Sequence, residues 1–225
     1  MNINLVTDND ETEIISTKAN TRKAMSTLLK ESFIEEMYVF VVKEFLSKKE
    51  AVIERVKNQF AGQKIVVRSS STNEDCFRKS NAGHYTSILD VDSADSNDIE
   101  SAIEAVIKSY EKDIIDIGNE QILIQHQAVD VAYSGVLFTY DIQGKRPYYL
   151  INYDDRGSTD SVTSGRGGKT LWIARNVDIS HLEVSWCKLL KAVKEIELYL
   201  NIALDIEFAI NKNNEVIIFQ VRPLV

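Results

Sequence analysis

Hydrophobic and polar residues follow two different periods along this chain. Apolar side chains that recur every third or fourth position predict amphipathic helices at 48–60 (closed by Gly62), 97–116 and 186–200. Short apolar runs bounded by polar residues predict strands at 64–71, 84–91, 121–129, 135–141, 146–154, 169–177, 203–211 and 215–223. The chain therefore interleaves helices and strands over most of its length.

Two segments near the amino terminus are less regular. Ser16 and Thr17 can cap a helix over residues 18–29, because short hydroxyl side chains accept the free amides of a first helical turn. The apolar run at 37–42 predicts either a strand or the front of a helix that continues to about residue 46. The sequence leaves both alternatives open.

The order of these elements favours a mixed α+β fold. The last two predicted strands are separated only by Lys212-Asn213-Asn214 and so form an antiparallel hairpin. This pairing argues against a doubly wound parallel sheet. The chain stops directly after a strand, at Val225, which suggests a domain cut from a longer protein.

Composition narrows the possible functions. The 225 residues carry a net charge of −8, which argues against a general binder of nucleic acid or membrane surfaces. There is no basic, apolar leader at the start and no apolar run long enough to span a membrane. Cys76 and Cys187 lie far apart and form no CxxC pair, so we expect free thiols and a cytoplasmic location.

The most informative local feature is Arg68 followed by Ser69-Ser70-Ser71. A buried strand delivers an arginine, whose guanidinium can hold phosphate oxygens in a bidentate fork. The hydroxyls and amides that follow can cradle an anion. An ordinary serine-rich turn explains the same residues, and this stretch alone does not decide between the two.

The terminal hairpin is the second feature. Alternation places Asp205 and Glu207 on one strand face, and Gln220 and Arg222 on one face of the next strand. If the two faces meet, carboxylate and amide oxygens suited to Mg²⁺ converge with a guanidinium suited to phosphate. A solvated hairpin face is the alternative. Lys18, near the start of the first predicted helix, could add a further positive charge for phosphate.

Together these features resemble the nucleotide-binding domain of the phosphoenolpyruvate synthase and pyruvate phosphate dikinase family. The family's motifs occur here in the family's order, as Ser16-Thr17-Lys18-Ala19-Asn20, Val67-Arg68-Ser69-Ser70 with Glu74-Asp75, Ala82-Gly83, Ile124-Gln125-His126-Gln127, Gly135-Val136-Leu137-Phe138-Thr139, Asp205-Ile206-Glu207-Phe208-Ala209 and Gln220-Val221-Arg222-Pro223. The resemblance implies an ATP-grasp fold with two lobes, at about 1–125 and 126–225, largely antiparallel sheets and the nucleotide site between the lobes.

The resemblance also implies cofactors and roles. ATP and Mg²⁺ would be bound, with Lys18 and Arg68 on the phosphates, Glu207 and Gln220 on the metal, and Arg222 on the γ-phosphate. Arg68 and Arg222 would be the catalytic residues. The backbone groups of Gln127-Ala128-Val129 would contact the adenine.

Three departures from the family pattern qualify this picture. Ser16 and Thr17 replace the glycines before the lysine, and the region between Phe138 and Asp205 is short and lacks the usual Gly-rich segment. The family's phosphohistidine and acceptor domains are not in this sequence, so they are expected as partners on a longer chain. The segment Asn-Tyr-Asp-Asp…Thr-Asp-Ser-Val-Thr-Ser-Gly, at 152–165, resembles a branch that includes the L-glutamine kinase of capsular phosphoramidate synthesis.

The expected function is the transfer of a phosphoryl group from ATP, through a phosphohistidine, to a small-molecule acceptor such as glutamine or pyruvate. A non-catalytic module that responds to nucleotide, and an ATP-grasp carboxylate–amine ligase, are the alternatives. Removal of charge by Arg222→Ala or Glu207→Ala is expected to abolish nucleotide turnover and to leave the fold intact.

Overall fold

A computed structural model describes residues 16–71, 75–76, 79–80, 85–141, 146–157 and 168–224. The chain divides into two compact units. The central unit is Glu35–Val129, and the terminal unit joins the residues up to Ile34 to Asp130–Val225. The boundary at residues 129 and 130 is close to the expected lobe boundary, whereas the amino-terminal segment groups with the carboxy-terminal half of the chain.

The central unit is a four-stranded antiparallel sheet with helices on one face. The first helix of the chain, α1 (Lys18–Ser26), belongs to the other unit. The elements of the central unit in chain order are β1 (Met37–Val41), α2 (Val42–Ser47), α3 (Lys49–Phe60), β2 (Lys64–Ser70), β3 (Asp75–Cys76), β4 (Lys79–Ser80), β5 (Ser87–Asp92), α4 (Ser96–Tyr110) and β6 (Gln121–His126). The strand order is β1-β6-β2-β5, and β3 and β4 form a separate two-stranded ribbon. Apolar side chains of α3 and α4 pack on the sheet and form its core.

The terminal unit is a five-stranded antiparallel sheet with one long helix. Its elements are α1 (Lys18–Ser26), β7 (Val131–Phe138), β8 (Tyr148–Asp154), β9 (Lys169–Ala174), a 3₁₀ turn (Ile179–His181), α5 (Val184–Leu200), β10 (Leu204–Asn211) and β11 (Val216–Pro223). The strand order is β11-β10-β7-β8-β9. The apolar face of α5 packs on one face of this sheet, and Met25 of α1 joins the same core.

Chain order does not decide which elements are neighbours in the terminal unit. α1 contacts β11, although almost the whole chain separates them. The outer edge of β11 is covered by Phe33, whose backbone exchanges two hydrogen bonds of 3.0 Å with Val216 and Ile218. This bridge covers the outer edge of β11 around Ile217, where another strand could otherwise pair.

Most of the predicted elements are confirmed. The open alternatives at 37–42 are resolved as both, because β1 ends at Val41 and α2 begins at Val42. The helix expected over 18–29 ends earlier, at Ser26. The helix at 49–60 leaves its last turn through Ala61, which has a left-handed φ of 42°, one residue before the predicted Gly62.

Some predicted features lie outside the described residues. They are Glu74, Ala82-Gly83 and the first residue of the strand expected at 84–91. Among the described residues, no helix is long and apolar enough to cross a membrane. The cytoplasmic location stays a prediction.

Gly135 in β7 allows the close approach of β8. A Cβ atom at this position would lie 2.1 Å from the carbonyl oxygen of Asn152 and 2.8 Å from the Cα of Tyr153. Both obstacles are backbone atoms, so a side chain could be accommodated only if the two strands moved apart. The glycine is therefore required by strand packing and not by an unusual φ angle.

We expect Gly135→Ala to lower the free energy of unfolding by about 3 kcal/mol, because overpacking forces the backbone to shift. Urea unfolding followed by circular dichroism measures this change. Gly118→Ala is the control, since its Cβ would meet side-chain atoms only, the flexible carboxylate of Asp116 at 3.3 Å and the Cβ of Lys43 at 3.9 Å. An unfolding midpoint of Gly135→Ala equal to that of the wild type would contradict the packing argument.

Candidate functional site

The hairpin formed by β10 and β11 brings four polar side chains together. Asp205 pairs with Arg222, and Glu207 pairs with Gln220, across the two strands. Directly opposed residues share a sheet face, with side chains about 5 Å apart. All four side chains are buried, although they lie on the face opposite the α5 core. The convergence expected from the sequence is therefore present, and we call these four residues the acidic cluster.

A β-bulge makes this convergence possible. Glu207 pairs with Gln220 but Phe208 pairs with Ile218, so Phe219 is an extra residue in β11. Ile218 faces the core, and strict alternation would place Gln220 on the core face as well. The extra residue reverses the alternation and turns Gln220 and Arg222 toward Glu207 and Asp205.

Arg222 joins the two carboxylates of the acidic cluster. Its Nη2 donates to Asp205 Oδ2 at 2.9 Å and to Glu207 Oε1 at 3.3 Å. The guanidinium side chain is only 6% exposed, so the charges interact with little screening by water. A single guanidinium nitrogen thus bonds both buried carboxylates of the cluster.

The carboxyl group of Asp205 has a strongly raised pKa. Burial raises the pKa of its carboxyl group from 3.8 to about 6, against the lowering effect of Arg222 and with a further rise from Glu207. Its Oδ1 atom is buried and accepts no hydrogen bond from the described residues. A buried carboxylate oxygen of this kind is suited to receive a proton or a cation.

The donor set of the acidic cluster fits Mg²⁺ that is shared with phosphate. Glu207, Gln220 and Asp205 supply hard oxygen atoms, the ligands that Mg²⁺ takes alongside water and phosphate oxygens. Among the described residues no group of three or more His, Cys, Asp or Glu side chains could hold a metal. A magnesium ion here would therefore need oxygen atoms from a bound phosphate to complete its coordination.

Lys18 belongs to the same unit as the acidic cluster. It opens α1, whose N-cap Thr17 accepts a hydrogen bond of 3.2 Å from the amide of Asn20, as the sequence predicted. The Lys18 side chain is buried at 4% exposure, and α1 contacts β11, the strand that carries Gln220 and Arg222. Lys18 is therefore not an ordinary solvated surface lysine.

Arg68 belongs to the central unit, near the end of β2. It pairs with Leu123 on one side and Ser87 on the other, on the sheet face opposite the core residues Ile65 and Val67. Ser69, Ser70 and Ser71 after it are fully buried. The Ser70 amide donates to Tyr110 Oη at 2.8 Å, so the serine run is an ordered end of a strand.

The predicted adenine-binding segment follows β6 and ends at the boundary of the central unit. The amide of Gln127 donates to the carbonyl of Lys64 at 3.0 Å, and its side chain bonds the amide and carboxylate of Asp90 at 2.6 and 2.7 Å. The backbone N–H of Gln127 is thus already hydrogen-bonded within the central unit. Ala128 follows it, and Val129 is 70% exposed. An adenine contact through this segment stays a prediction.

Among the described residues, His126, His181 and Cys187 form no nucleophile–base pair. His126 stacks edge to face on Phe60, with ring centroids 4.9 Å apart, which agrees with a structural histidine. His181 is exposed and lies 3.6 Å from Asp178. Cys187 is a free thiol in α5.

Sequence reasoning missed two contributors to the acidic cluster. Asp205 was placed on the correct face but was given no role, although its pairing with Arg222 follows from the antiparallel hairpin once the turn is known. Phe219 gave no signal, because the run from Val216 to Phe219 is uniformly apolar and its alternation cannot be read.

Comparison with known families identifies the domain. The family model described as "Pyruvate phosphate dikinase, AMP/ATP-binding domain" matches residues 3–166, more than half of the chain. The chain belongs to this family. The match includes Lys18, Arg68 and Gln127 and ends before β10, so it does not cover the acidic cluster. A search of curated protein sequences gave no match.

Solved structures similar to this AMP/ATP-binding domain are ATP-grasp proteins. D-alanyl-alanine synthetase A from Vibrio cholerae has a TM-score of 0.52 and 16% identity, over 95% of this chain and 57% of that chain. L-amino acid ligase from Bacillus licheniformis has the same score and identity, over 95% and 44%. Carboxyaminoimidazole ribonucleotide synthase from Aspergillus clavatus, complexed with ATP, has a TM-score of 0.51 and 15% identity, over 92% and 44%.

These likenesses establish the ATP-grasp fold that the sequence predicted. At such identities they show the fold alone. The chain spans about half the length of the structures it matches. Membership of the family makes this an ATP-binding domain of ATP-utilising enzymes, and the reaction it serves is considered below.

Arg222→Ala should destabilise the fold, contrary to the expectation that the fold would stay intact. Loss of the guanidinium breaks its buried pairs with both carboxylates, and removal of one partner of a buried ion pair typically costs about 3–5 kcal/mol. Urea unfolding at pH 7 measures this, with Lys212→Ala as control, because the Lys212–Asp130 pair is more than 70% exposed on both sides. Addition of Asp205→Asn should restore part of the loss, and equal stability of Arg222→Ala and wild type would contradict the pairing.

Asp205 should also impose a pH dependence on stability. The folded protein keeps this proton up to about pH 6, whereas the unfolded chain releases it near 3.8. The stability that the protonated group contributes is therefore full below pH 4 and is lost as the pH rises through 6. The shift of about two units corresponds to about 3 kcal/mol.

Urea unfolding of wild type and Asp205→Asn in EDTA, between pH 4 and 7, tests this dependence. The stability of the wild type relative to the variant should fall as the pH rises. Parallel pH profiles for the two proteins would show that Asp205 does not titrate in this range.

Proposed function

We propose that this domain binds the triphosphate of ATP with Mg²⁺ at the acidic cluster and serves a dikinase-like phosphotransferase. The acidic cluster on β10 and β11 carries the proposal. Its two carboxylates, amide and guanidinium are the groups that a magnesium triphosphate needs. They are buried together in this chain, which belongs to a family of AMP/ATP-binding domains.

The proposed roles follow from the chemistry of each side chain. Glu207 and Gln220 hold the metal through oxygen atoms. The buried Oδ1 of Asp205, which accepts no hydrogen bond from the described residues, adds negative charge beside the metal. Arg222 holds the γ-phosphate through its guanidinium while its Nη2 stays bonded to both acids. Mg²⁺, when bound, would neutralise charge that develops on the transferred phosphoryl group.

Lys18 is proposed as a further phosphate ligand in the terminal unit. Its buried ammonium lies on a helix that contacts β11, which agrees with this role. Arg68 is proposed to hold phosphate from the central unit, with the backbone of Gln127-Ala128-Val129 on the adenine. For Gln127 only the carbonyl remains for that contact, because its amide is bonded to Lys64.

The overall reaction we propose consumes ATP, water and an acceptor and yields AMP, phosphate and a phosphorylated acceptor. A phosphohistidine on a separate domain of a longer protein would carry the phosphoryl group. The acceptor is the amide of L-glutamine or pyruvate. Membership of the family supports this proposal, and the resemblance of the segment at 152–165 supports glutamine as the acceptor.

The first test is nucleotide binding by this chain, followed by calorimetry. We expect ATP to bind with Mg²⁺ and Glu207→Gln to weaken that binding at least tenfold, because the isosteric amide removes the charge that attracts the metal. Glu54→Gln is the matched control, since Glu54 is exposed in the central unit. Binding of Mg²⁺·ATP by Glu207→Gln with the affinity of the wild type would reject the site.

The second test is the reaction of the longer protein, followed by phosphorus NMR with ATP, Mg²⁺ and either glutamine or pyruvate. AMP and phosphate that appear only with one acceptor would support the phosphotransferase and identify the acceptor. ADP formation with a carboxylate and an amine would instead indicate a ligase. Binding without turnover would indicate a nucleotide-responsive module.

A further inference from the structure

Thr139 closes the ladder between β7 and β10 directly beside the acidic cluster. Its amide donates to the carbonyl of Leu204 at 2.9 Å, and its hydroxyl accepts the amide of Leu204 at 2.8 Å. Asp205 is the next residue along β10 and pairs with Phe138. The position of Asp205 is therefore set at the fully buried Thr139 end of the ladder.

Arg175 holds the carbonyl of Thr139, and Glu197 and Tyr149 hold Arg175 in place. Arg175 Nη1 donates to the carbonyl of Thr139 at 2.5 Å and to Glu197 Oε1 at 2.8 Å. Its Nη2 donates to Glu197 Oε2 at 3.3 Å. The Tyr149 hydroxyl donates to Glu197 Oε2 at 2.9 Å, and the Arg175 guanidinium lies 4.6 Å from the Tyr149 ring centre. We call these three residues and Thr139 the Arg175 network.

The Arg175 network is rigid for electrostatic reasons. Tyr149 is buried, and burial together with the neighbouring Glu197 carboxylate raises the pKa of its hydroxyl, so it stays a neutral donor. The Glu197 side chain is mostly buried and accepts three hydrogen bonds from these two partners. Charge-assisted bonds of this kind are short, directional and strong. They connect β8, the end of β9 and α5 to a single carbonyl group.

We propose that the Arg175 network is a positioning unit for the acidic cluster, which acts through Thr139 to hold Asp205 where it can share Arg222 with Glu207. None of its residues lies on the cluster face. This inference rests on the proposed function, because it concerns residues that support the proposed metal–phosphate site.

The network lies beside a cavity of about 700 Å³, which the same residues line together with Lys194 and Leu198 of α5. Thr139 links the network to β10 through specific hydrogen bonds and not only through packing. Its carbonyl and hydroxyl are both engaged, so a change in Arg175 is transmitted to Leu204 and then to Asp205. A group aligned in this way must be held within a fraction of an ångström to serve a metal site.

The test compares ATP affinity with and without Mg²⁺, measured by calorimetry on the full chain at a temperature where every variant is folded by circular dichroism. Thr139→Val keeps the shape but removes the acceptor for the Leu204 amide, whereas Thr139→Ser keeps the hydroxyl. We expect Thr139→Val to reduce the gain in affinity from Mg²⁺ about tenfold and Thr139→Ser to retain it. A purely structural role would lower the melting temperature without changing this ratio.

Arg175→Lys provides a second variant if Thr139→Val fails to fold. A lysine keeps the positive charge but cannot bond the carbonyl of Thr139 and both Glu197 oxygens together. It should lower the Mg²⁺ gain at least threefold. Lys194→Ala is the matched control, because Lys194 lines the same cavity but takes no part in the network's hydrogen bonds.

The outcomes separate this inference from the proposed function. If the wild type binds ATP without any gain from Mg²⁺, the proposed function fails. If the wild type shows the gain and folded Thr139→Val and Arg175→Lys retain it in full, the positioning role is rejected while the site stands. Loss of the gain in these two variants, with its retention in Thr139→Ser and Lys194→Ala, supports the proposal.

Discussion

The site in the terminal unit depends on one irregularity of pairing, the extra residue Phe219 in β11. The apolar half of this strand must face the core, and the polar half must face away from it. A regular strand cannot do both with this sequence, because Ile218 and Gln220 would share a face. The bulge resolves the conflict, and it does so next to the polar residues that it redirects, where bulges commonly occur in enzymes.

The acidic cluster is an arrangement that stability alone would not favour. Replacement of a buried ion pair by apolar residues is often neutral or stabilising, and here two acids share one arginine. In the proposed site, a metal ion would add positive charge beside these carboxylates. The guanidinium proposed for phosphate and the carboxylates proposed for the metal would then be adjacent before the nucleotide arrives, which would reduce the reorganisation needed for transfer.

The sequence predicted the local elements of the fold well, because helical and strand periods are local properties. The hairpin of β10 and β11 followed from its short polar turn, and the α1 cap followed from Thr17. The contact of α1 with β11 and the cover of β11 by Phe33 could not be predicted, since they join distant segments. The family motifs supplied Lys18, Arg68, Glu207, Gln220 and Arg222 as candidates.

Two parts of the candidate site required coordinates. The role of Asp205 depends on its burial and its unsatisfied oxygen, and neither property follows from alternation alone. The Arg175 network joins residues from β8, from the end of β9 and from α5 that carry no common sequence signal. Such polar contacts form only after packing has brought distant segments together, so a single sequence does not reveal them.

The account is tested most directly by the position of the metal in a complex with ATP. Crystals grown with ATP and Mn²⁺ in place of Mg²⁺ would show the ion by anomalous diffraction. If the acidic cluster binds the metal, a peak should lie about 2.1 Å from a carboxylate oxygen of Glu207 and from the amide oxygen of Gln220, with phosphate oxygens completing the coordination. A peak on any other residues, or ATP bound with its phosphates away from Arg222, would contradict it.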